Sequence, residues 1–123
     1  MPILTIELLM ADGDPDVPAQ TLQKLTDALG ELFQSAAGGT WVKLRHLHSS
    51  NYAENQVTLT ASIRPVMVEI IHSRLPAESE LAIQAATVCE LVASHLERPE
   101  ENVHILYQPN AAGRIAFGGK LIR

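Results

Sequence analysis

The chain has 123 residues, 46% of them hydrophobic and only 4% aromatic, which is enough for one compact domain with an aliphatic core. The net charge of -5 with scattered cations excludes nucleic-acid binding, which needs clustered Lys and Arg. No segment has the pattern of a membrane span or a secretory signal, and the single cysteine excludes an internal disulfide, so we expect a cytoplasmic protein.

The first half of the chain reads as strand, helix and strand. Residues 3–9 are almost continuously apolar, which indicates a strand covered on both faces. Asp16 is the predicted N-cap of a helix with Pro18 in its first turn and Gly38-Gly39 at its end. The apolar face of this helix is formed by Leu22, Leu25, Leu29, Leu32 and Phe33. Residues 41–47 predict the second strand.

The second half repeats this order after one additional strand. Residues 57–63 alternate apolar side chains with Thr and Ser, which predicts a half-buried connecting strand. Residues 66–71 predict another apolar strand, and residues 103–107 predict the last long one. Between them lies a helix whose apolar residues are Leu81, Ile83, Ala85, Val88, Leu91, Val92 and Leu96. Residues 116–117 before Gly118-Gly119 predict a closing hairpin.

This order of elements is typical of two parallel βαβ units, in residues 1–56 and 57–123. Each unit starts with an apolar strand behind a proline, Pro2 or Pro65. We predict a single α+β (α/β) domain, residues 1–123, in which a four-stranded sheet carries both helices on one face. The other face would be apolar and bare, so we also predict an oligomer.

The two ends of the chain resemble a known family. The opening Met1-Pro2-Ile3-Leu4-Thr5-Ile6-Glu7 is similar to the start of the tautomerase superfamily, which includes 4-oxalocrotonate tautomerase and macrophage migration inhibitory factor. Residues 102–107 and 109–119 resemble its closing strand and glycine hairpin without a gap. The length and the doubled βαβ unit resemble the fused members of this family, which implies a homotrimer with a barrel-like core.

The resemblance makes Pro2 the predicted catalytic base. Once Met1 is removed, Pro2 presents a secondary amine, whereas with Met1 in place its nitrogen is an amide without a basic lone pair. An α-amino group titrates near pH 7.7–8.0, and an apolar setting or nearby cations lower that pKa. A neutral amine can then take a proton from a carbon next to a carbonyl and return it elsewhere. The alternative is that Met-Pro is an accident of the chain start.

The family also needs cations that hold an acidic substrate and polarise its carbonyl. Arg74 follows the first strand of the second unit, at a family arginine position that holds Ala11-Asp12 in the first unit. Lys43 and His104 occupy another family arginine position, early in the second strand of each unit. The alternatives are a solvated Arg74, a solvated Lys43 and a His104 satisfied by backbone. His72 lies close to Arg74 and is a further candidate.

An apolar wall beside the proline is the remaining family feature. By alignment it is Ile115, and Phe117 points the same way if that segment is extended. The alternative for Phe117 is hairpin or interface packing.

His46 and His48 share a strand face without Asp, Glu or Cys at ligand spacing, so we expect no metal. The chemistry that the resemblance implies needs no cofactor.

Two functions follow from these observations. The first is a keto-enol tautomerase that acts on a small α-keto acid or enol carboxylate. The second is a non-enzymatic oligomeric binding protein that keeps the fold and has lost the site, which the missing cation at residues 11–12 favours. Related members hydrate, dehalogenate or decarboxylate, but we find no convincing acid or arginine pair for those reactions in this sequence.

Overall fold

The computed structural model describes residues 2–60 and 63–123. Within this part of the chain the elements alternate as the sequence predicts. In chain order they are β1 (Ile3–Met10), α1 (Ala19–Leu32), β2 (Trp41–His48), β3 (Val66–Ile71), α2 (Glu78–Leu96), β4 (Val103–Tyr107), β5 (Ala116–Phe117) and β6 (Lys120–Leu121). Short 3-10 turns at Ser49–Asn51 and Glu100–Asn102 follow β2 and precede β4.

The main sheet has the strand order β2-β1-β3-β4. Strand β1 pairs with β2 in parallel and β3 pairs with β4 in parallel, while the central pair β1 and β3 is antiparallel. In that central pair Ile3 lies opposite Ile71 and Leu8 lies opposite Val66. The two βαβ units are therefore joined side by side in opposite directions, through the antiparallel β1–β3 pair. This confirms the predicted α+β fold with four strands and two helices.

The core lies between the sheet and the helices. Alternate residues of the two central strands are buried there, since successive side chains of a strand point to opposite faces. The helices contribute residues spaced by one turn, Leu25 and Leu29 from α1 and Val88 and Val92 from α2. The strand residues of this layer are Leu4, Ile6, Leu8, Val66, Val68 and Ile70. Each such side chain stabilises the fold by about 1.5–3 kcal/mol.

The opposite side of the sheet carries no helix in the described residues, and we call it the open face. Its residues alternate with those of the core, and they mix apolar with charged side chains. Leu106 on β4 is 60% exposed, and Trp41 on β2 is also exposed. The remaining members are Ile3, Thr5, Glu7, Leu9, Lys43, Arg45, Leu47, Met67, Glu69, Ile71 and His104.

The predicted strand over residues 57–63 is wrong for the residues described. Residues 61 and 62 lie outside them, and the segment before these forms no strand. The chain reverses at Gln56, whose φ is 59°, and Val57 makes only an isolated bridge to Glu54. Val57 is left 45% exposed, so the alternating pattern has no sheet to face.

Both predicted ends of α1 are also wrong. Pro18 is the N-cap residue, and no side chain caps the helix. Asp16 instead lies 3.9 Å from the His46 ring, so it is not the cap. The helix ends at Leu32, before Gly38, because Gln34 adopts a left-handed φ of 54° and Ser35 N–H then bonds back to the Gly30 carbonyl.

The closing hairpin is present as predicted. Strands β5 and β6 pair in antiparallel fashion around Gly118 and Gly119, with φ of 57° and 84°. Two successive left-handed residues match the twist of a two-residue hairpin turn. No helix in the described ranges is long and apolar enough to cross a membrane.

Candidate active site

A cavity of about 470 Å³ opens at the end of the sheet where β1 begins and β3 ends. Pro2 forms one wall, and residues 32–36 after α1 form another. His72 and Arg74 reach the cavity from the connection between β3 and α2, and Gln84 reaches it from α2. The structure thus brings Pro2 together with Arg74, the first candidate from the sequence for binding a carboxylate.

Pro2 is held at this wall by the start of the sheet. Its carbonyl accepts a hydrogen bond from the backbone N–H of Trp41 at 3.2 Å, next to the first pair of the β1–β2 ladder. The Pro2 side chain is buried, and Leu32 and Phe33 line the same cavity. An amine at this position would be in a partly apolar setting, which disfavours its charged form.

His72 is buried in the cavity wall between two aromatic rings. Phe33 packs edge-on to it with ring centroids 5.5 Å apart, and Tyr107 stacks on it at 6.1 Å. The Gln84 side-chain oxygen lies 3.0 Å from His72 Nε2 and also accepts the Tyr107 hydroxyl at 2.9 Å. Because an amide oxygen only accepts, Nε2 carries the ring hydrogen.

The electrostatics of this group keep it uncharged at neutral pH. Burial lowers the pKa of His72, although the hydrogen bond to Gln84 opposes the shift. Burial also raises the pKa of Tyr107 to about 12, so its hydroxyl stays protonated and continues to donate. The cavity wall therefore contains a neutral imidazole, with the neutral phenol of Tyr107 stacked behind it, and Arg74 is the charged side chain among the described residues that line the cavity.

Arg74 is exposed at the cavity mouth. It forms no ion pair with any carboxylate in the described residues. An arginine that is free of acidic partners and lines a concave site is suited to a carboxylate, since its planar fork can donate two parallel hydrogen bonds.

Lys43 and His104 lie elsewhere within the single chain. Both are on the open face, on the opposite side of the sheet from the helices, and on its two edge strands. Lys43 on β2 lies opposite Thr5 on β1. His104 lines a small crevice together with Thr5 and Glu7. One chain by itself does not bring either residue into the Pro2 cavity.

Ile115 and Phe117 do not line the Pro2 cavity either. The Phe117 ring packs edge-on against Trp41, with centroids 5.3 Å apart and an interplanar angle of 81°. Trp41 in turn donates its indole N–H to the Gly38 carbonyl and its backbone N–H to Pro2. Phe117 thus contacts Trp41, which in turn contacts Pro2. The backbone of Ile115 is hydrogen-bonded to the preceding turn and to the C-terminal segment.

Sequence reasoning missed Gln84, which orients His72. Gln84 lies inside α2, where a glutamine is an ordinary surface residue, and no local pattern distinguishes it. Gln84 lies in the second turn of the helix that begins just after the β3 loop, and only the tertiary fold brings it to His72.

No protein-family model matches the chain, and no curated protein matches its sequence. Solved structures match it over almost its whole length. A macrophage migration inhibitory factor homologue from Prochlorococcus marinus has 17% identity and a TM-score of 0.73, with 98% of this chain and 99% of that chain covered. Macrophage migration inhibitory factor from Oncomelania hupensis has 22% identity and a TM-score of 0.71, with 99% and 82% covered.

The R7 fused 4-OT, a wild-type asymmetric trimer, has 20% identity and a TM-score of 0.69, with 95% of this chain and 94% of that chain covered. At these identities the likeness concerns the fold. The chain has the fold of macrophage migration inhibitory factor and fused 4-OT, which confirms the resemblance at the level of the fold.

Proposed function

We propose that this protein is a cofactor-free keto-enol tautomerase of a small α-keto acid or enol carboxylate, with Pro2 as its base after Met1 is removed. The observation that carries the proposal is the buried position of Pro2 in the wall of a cavity that it shares with Arg74, which has no carboxylate partner among the described residues. A secondary amine and a carboxylate-binding cation are the two parts that such a reaction needs first.

The proton transfer follows from these positions. The Pro2 nitrogen takes a proton from the carbon next to the substrate carbonyl, and the C–H electron pair forms a C=C bond. The carbonyl π electrons move to oxygen, and that oxygen takes the abstracted proton back from the protonated Pro2 amine to give the enol; the reverse sequence gives the ketone. The apolar wall and the charge of Arg74 both favour the neutral, basic form of the amine.

Arg74 would bind the substrate carboxylate, and the oxygen that becomes negative needs a second donor. We propose a homotrimer in which the open face packs against neighbouring subunits and delivers Lys43 or His104 to a neighbour's cavity. The exposed Leu106 and the trimeric state of the R7 fused 4-OT support this arrangement. Ile115 and Phe117 would exclude water from the completed site.

The decisive experiment measures ketonisation of phenylpyruvate enol and of a 2-hydroxydienoate by the native protein and by Pro2→Ala. We expect the substitution to lower kcat/KM at least a hundredfold, since general base catalysis contributes about 10²–10⁴-fold. Pro65→Ala is the matched control, because Pro65 is also buried before a strand but lies at the opposite end of the sheet. Intact mass establishes whether Met1 has been removed.

Arg74→Gln gives a separate readout, an increase in KM for carboxylate substrates. Activity that is equal in the native protein and in Pro2→Ala would refute the proposal, as would an inactive protein from which Met1 is absent. In the second case, retained binding of a carboxylate would favour the non-enzymatic binding protein.

A further inference from the structure

A second cavity, of about 370 Å³, lies at the opposite end of the sheet, where β1 ends and β3 begins. Val17 and Thr21 line it from the start of α1, and residues 95–98 line it from the end of α2. Arg64, just before β3, forms the side nearest the sheet. This cavity is separate from the proposed active site.

The second cavity occupies the place in the second βαβ unit that the Pro2 cavity occupies in the first. The two units correspond at a constant offset along the chain: Pro2 to Pro65, Thr21 to Gln84, Leu25 to Val88, Leu29 to Val92 and Gln34 to Glu97. Gln34 and Glu97 both follow a helix with a left-handed φ, of 54° and 56°. At the same offset Arg98 replaces Ser35, so a cation stands where the first cavity has a hydroxyl.

Arg64 lines this cavity and has hydrogen-bonding capacity that the described residues do not use. Its Nη2 donates to Asp14. Its Nε is buried and has no hydrogen-bond partner among the described residues. A buried donor without a partner is uncommon in folded proteins, and the described residues supply no acceptor for this one.

Arg98 lies beside Arg64 and has no acidic partner in the described residues. Its Nη1 donates to the carbonyls of Leu9 at 3.0 Å and Arg64 at 3.4 Å. Burial lowers the pKa of Arg98, and the charge of Arg64 lowers it further. Of these two adjacent guanidinium groups, only Arg64 is paired with a carboxylate, that of Asp14, in the described residues.

The other carboxylates of the cavity do not balance this charge. Asp16 and Glu97 line the outer rim, and both are exposed to water. Solvent screens exposed charges strongly, so they compensate a half-buried guanidinium weakly. The inner part of the cavity has an excess of one positive charge.

We propose that this second cavity binds the carboxylate of a small organic acid between Arg64 and Arg98. Leu8, Met10 and Leu96 give the cavity an apolar part, which suits an organic group better than an inorganic anion. Its volume equals that of about a dozen waters at ~30 Å³ each, enough for a small acid. Pro65 is internal and has no free amine, so the site binds without the proton transfer proposed for Pro2.

The experiment titrates phenylacetate into protein labelled at the methionine methyl groups and records their NMR signals. Met10 lines the second cavity, while Met67 lies on the open face and serves as the internal reference. We expect a saturable shift of the Met10 signal and none with phenylacetamide, which has the same ring but no charge. The Arg74→Gln variant, altered in the first cavity, is expected to retain the Met10 shift.

Two substitutions test the residues. Arg98→Gln and Arg64→Gln are each expected to weaken phenylacetate binding about tenfold or more, because each removes charge-assisted hydrogen bonds. Arg123→Gln, an exposed arginine near the C-terminus, is the matched control and should bind like the native protein. Arg64→Gln keeps the test valid if Arg98→Gln unfolds, since the Arg64 side chain bonds only Asp14 in the described residues.

Three results would overturn the proposal. They are a Met10 signal that does not move at tens of millimolar phenylacetate, an equal shift with phenylacetamide, and unchanged affinity in both arginine variants. None of them bears on tautomerase activity, which depends on Pro2.

Discussion

His72 is a buried titratable side chain whose protonation changes the stability of the fold. Its pKa is lowered below the usual histidine value by burial, and Phe33 and Tyr107 pack on its two sides. The unfolded chain therefore binds a proton at this position more readily than the folded chain. Stability is fully present above pH ~6.5 and is lost as the pH falls through that value toward the lower folded pKa.

The free energy of unfolding should consequently fall between pH 7 and pH 5, and His72→Gln should make that fall shallower. Urea unfolding at several pH values and one fixed protein concentration measures the slope. The slope is the relevant quantity, because the substitution also removes ring packing and lowers stability at every pH. An equal change of slope in His46→Gln, which removes a histidine from the edge strand β2, would contradict the assignment to His72.

The residues of the candidate site differ in how far sequence could predict them. Pro2 and Arg74 were predicted from the family resemblance of the chain, and the structure places them in one cavity. Lys43 and His104 alternate in register with core residues, so their face depends on which side the helices cover. Gln84 depends on a contact between α2 and His72, just after β3, that no local pattern encodes.

Elements with strong apolar periodicity were predictable, whereas their ends and connections were less so. The four long strands and two helices each bury a continuous stripe, and burial of that stripe overrides weaker local preferences. Residues 57–60 have an alternating pattern of equal quality but no neighbouring strand, because Gln56 turns the chain back. The end of α1 was set by a left-handed Gln34, a conformation that glycine usually supplies.

Two glycines permit a paired test of backbone conformation. Gly30 lies within α1 with ordinary φ and open space around an added Cβ, so Gly30→Ala should raise the free energy of unfolding by about 0.5–1 kcal/mol. Gly119 has a φ of 84° in the β5–β6 turn, and Gly119→Ala should lower the free energy of unfolding by about 1–2 kcal/mol.

Thermal or urea unfolding of both variants measures these changes. The new methyl group meets nothing within 4 Å at either position, so backbone conformation is the main difference between them. Changes of the same sign in the two variants would show that another effect dominates.

At the scale of the whole molecule, the open face is the feature that sets the expected assembly. Leu106 on this face and Ile83 on α2 are both large, apolar and exposed, at 60% and 70%. The proposed trimer buries the first and leaves the second in water.

Leu106→Lys should therefore shift the sedimentation coefficient from that of a trimer toward that of a monomer, while Ile83→Lys should leave it unchanged. A desolvated lysine ammonium at a packed interface costs several kcal/mol, whereas the same group on an exposed helix costs little. Sedimentation velocity over a range of concentrations gives the result. A native protein that stays monomeric throughout, or a trimer that only Ile83→Lys dissociates, would exclude this arrangement.

The side-by-side pairing of two similar units in opposite directions within one chain has a consequence for how such a protein can evolve. In an assembly of short identical chains, every substitution appears at all sites at once. Here Pro2 and Pro65 occupy corresponding places, as do Ser35 and Arg98, yet each position mutates independently. One end of the molecule can therefore change its chemistry while the other end, and the sheet between them, stays the same.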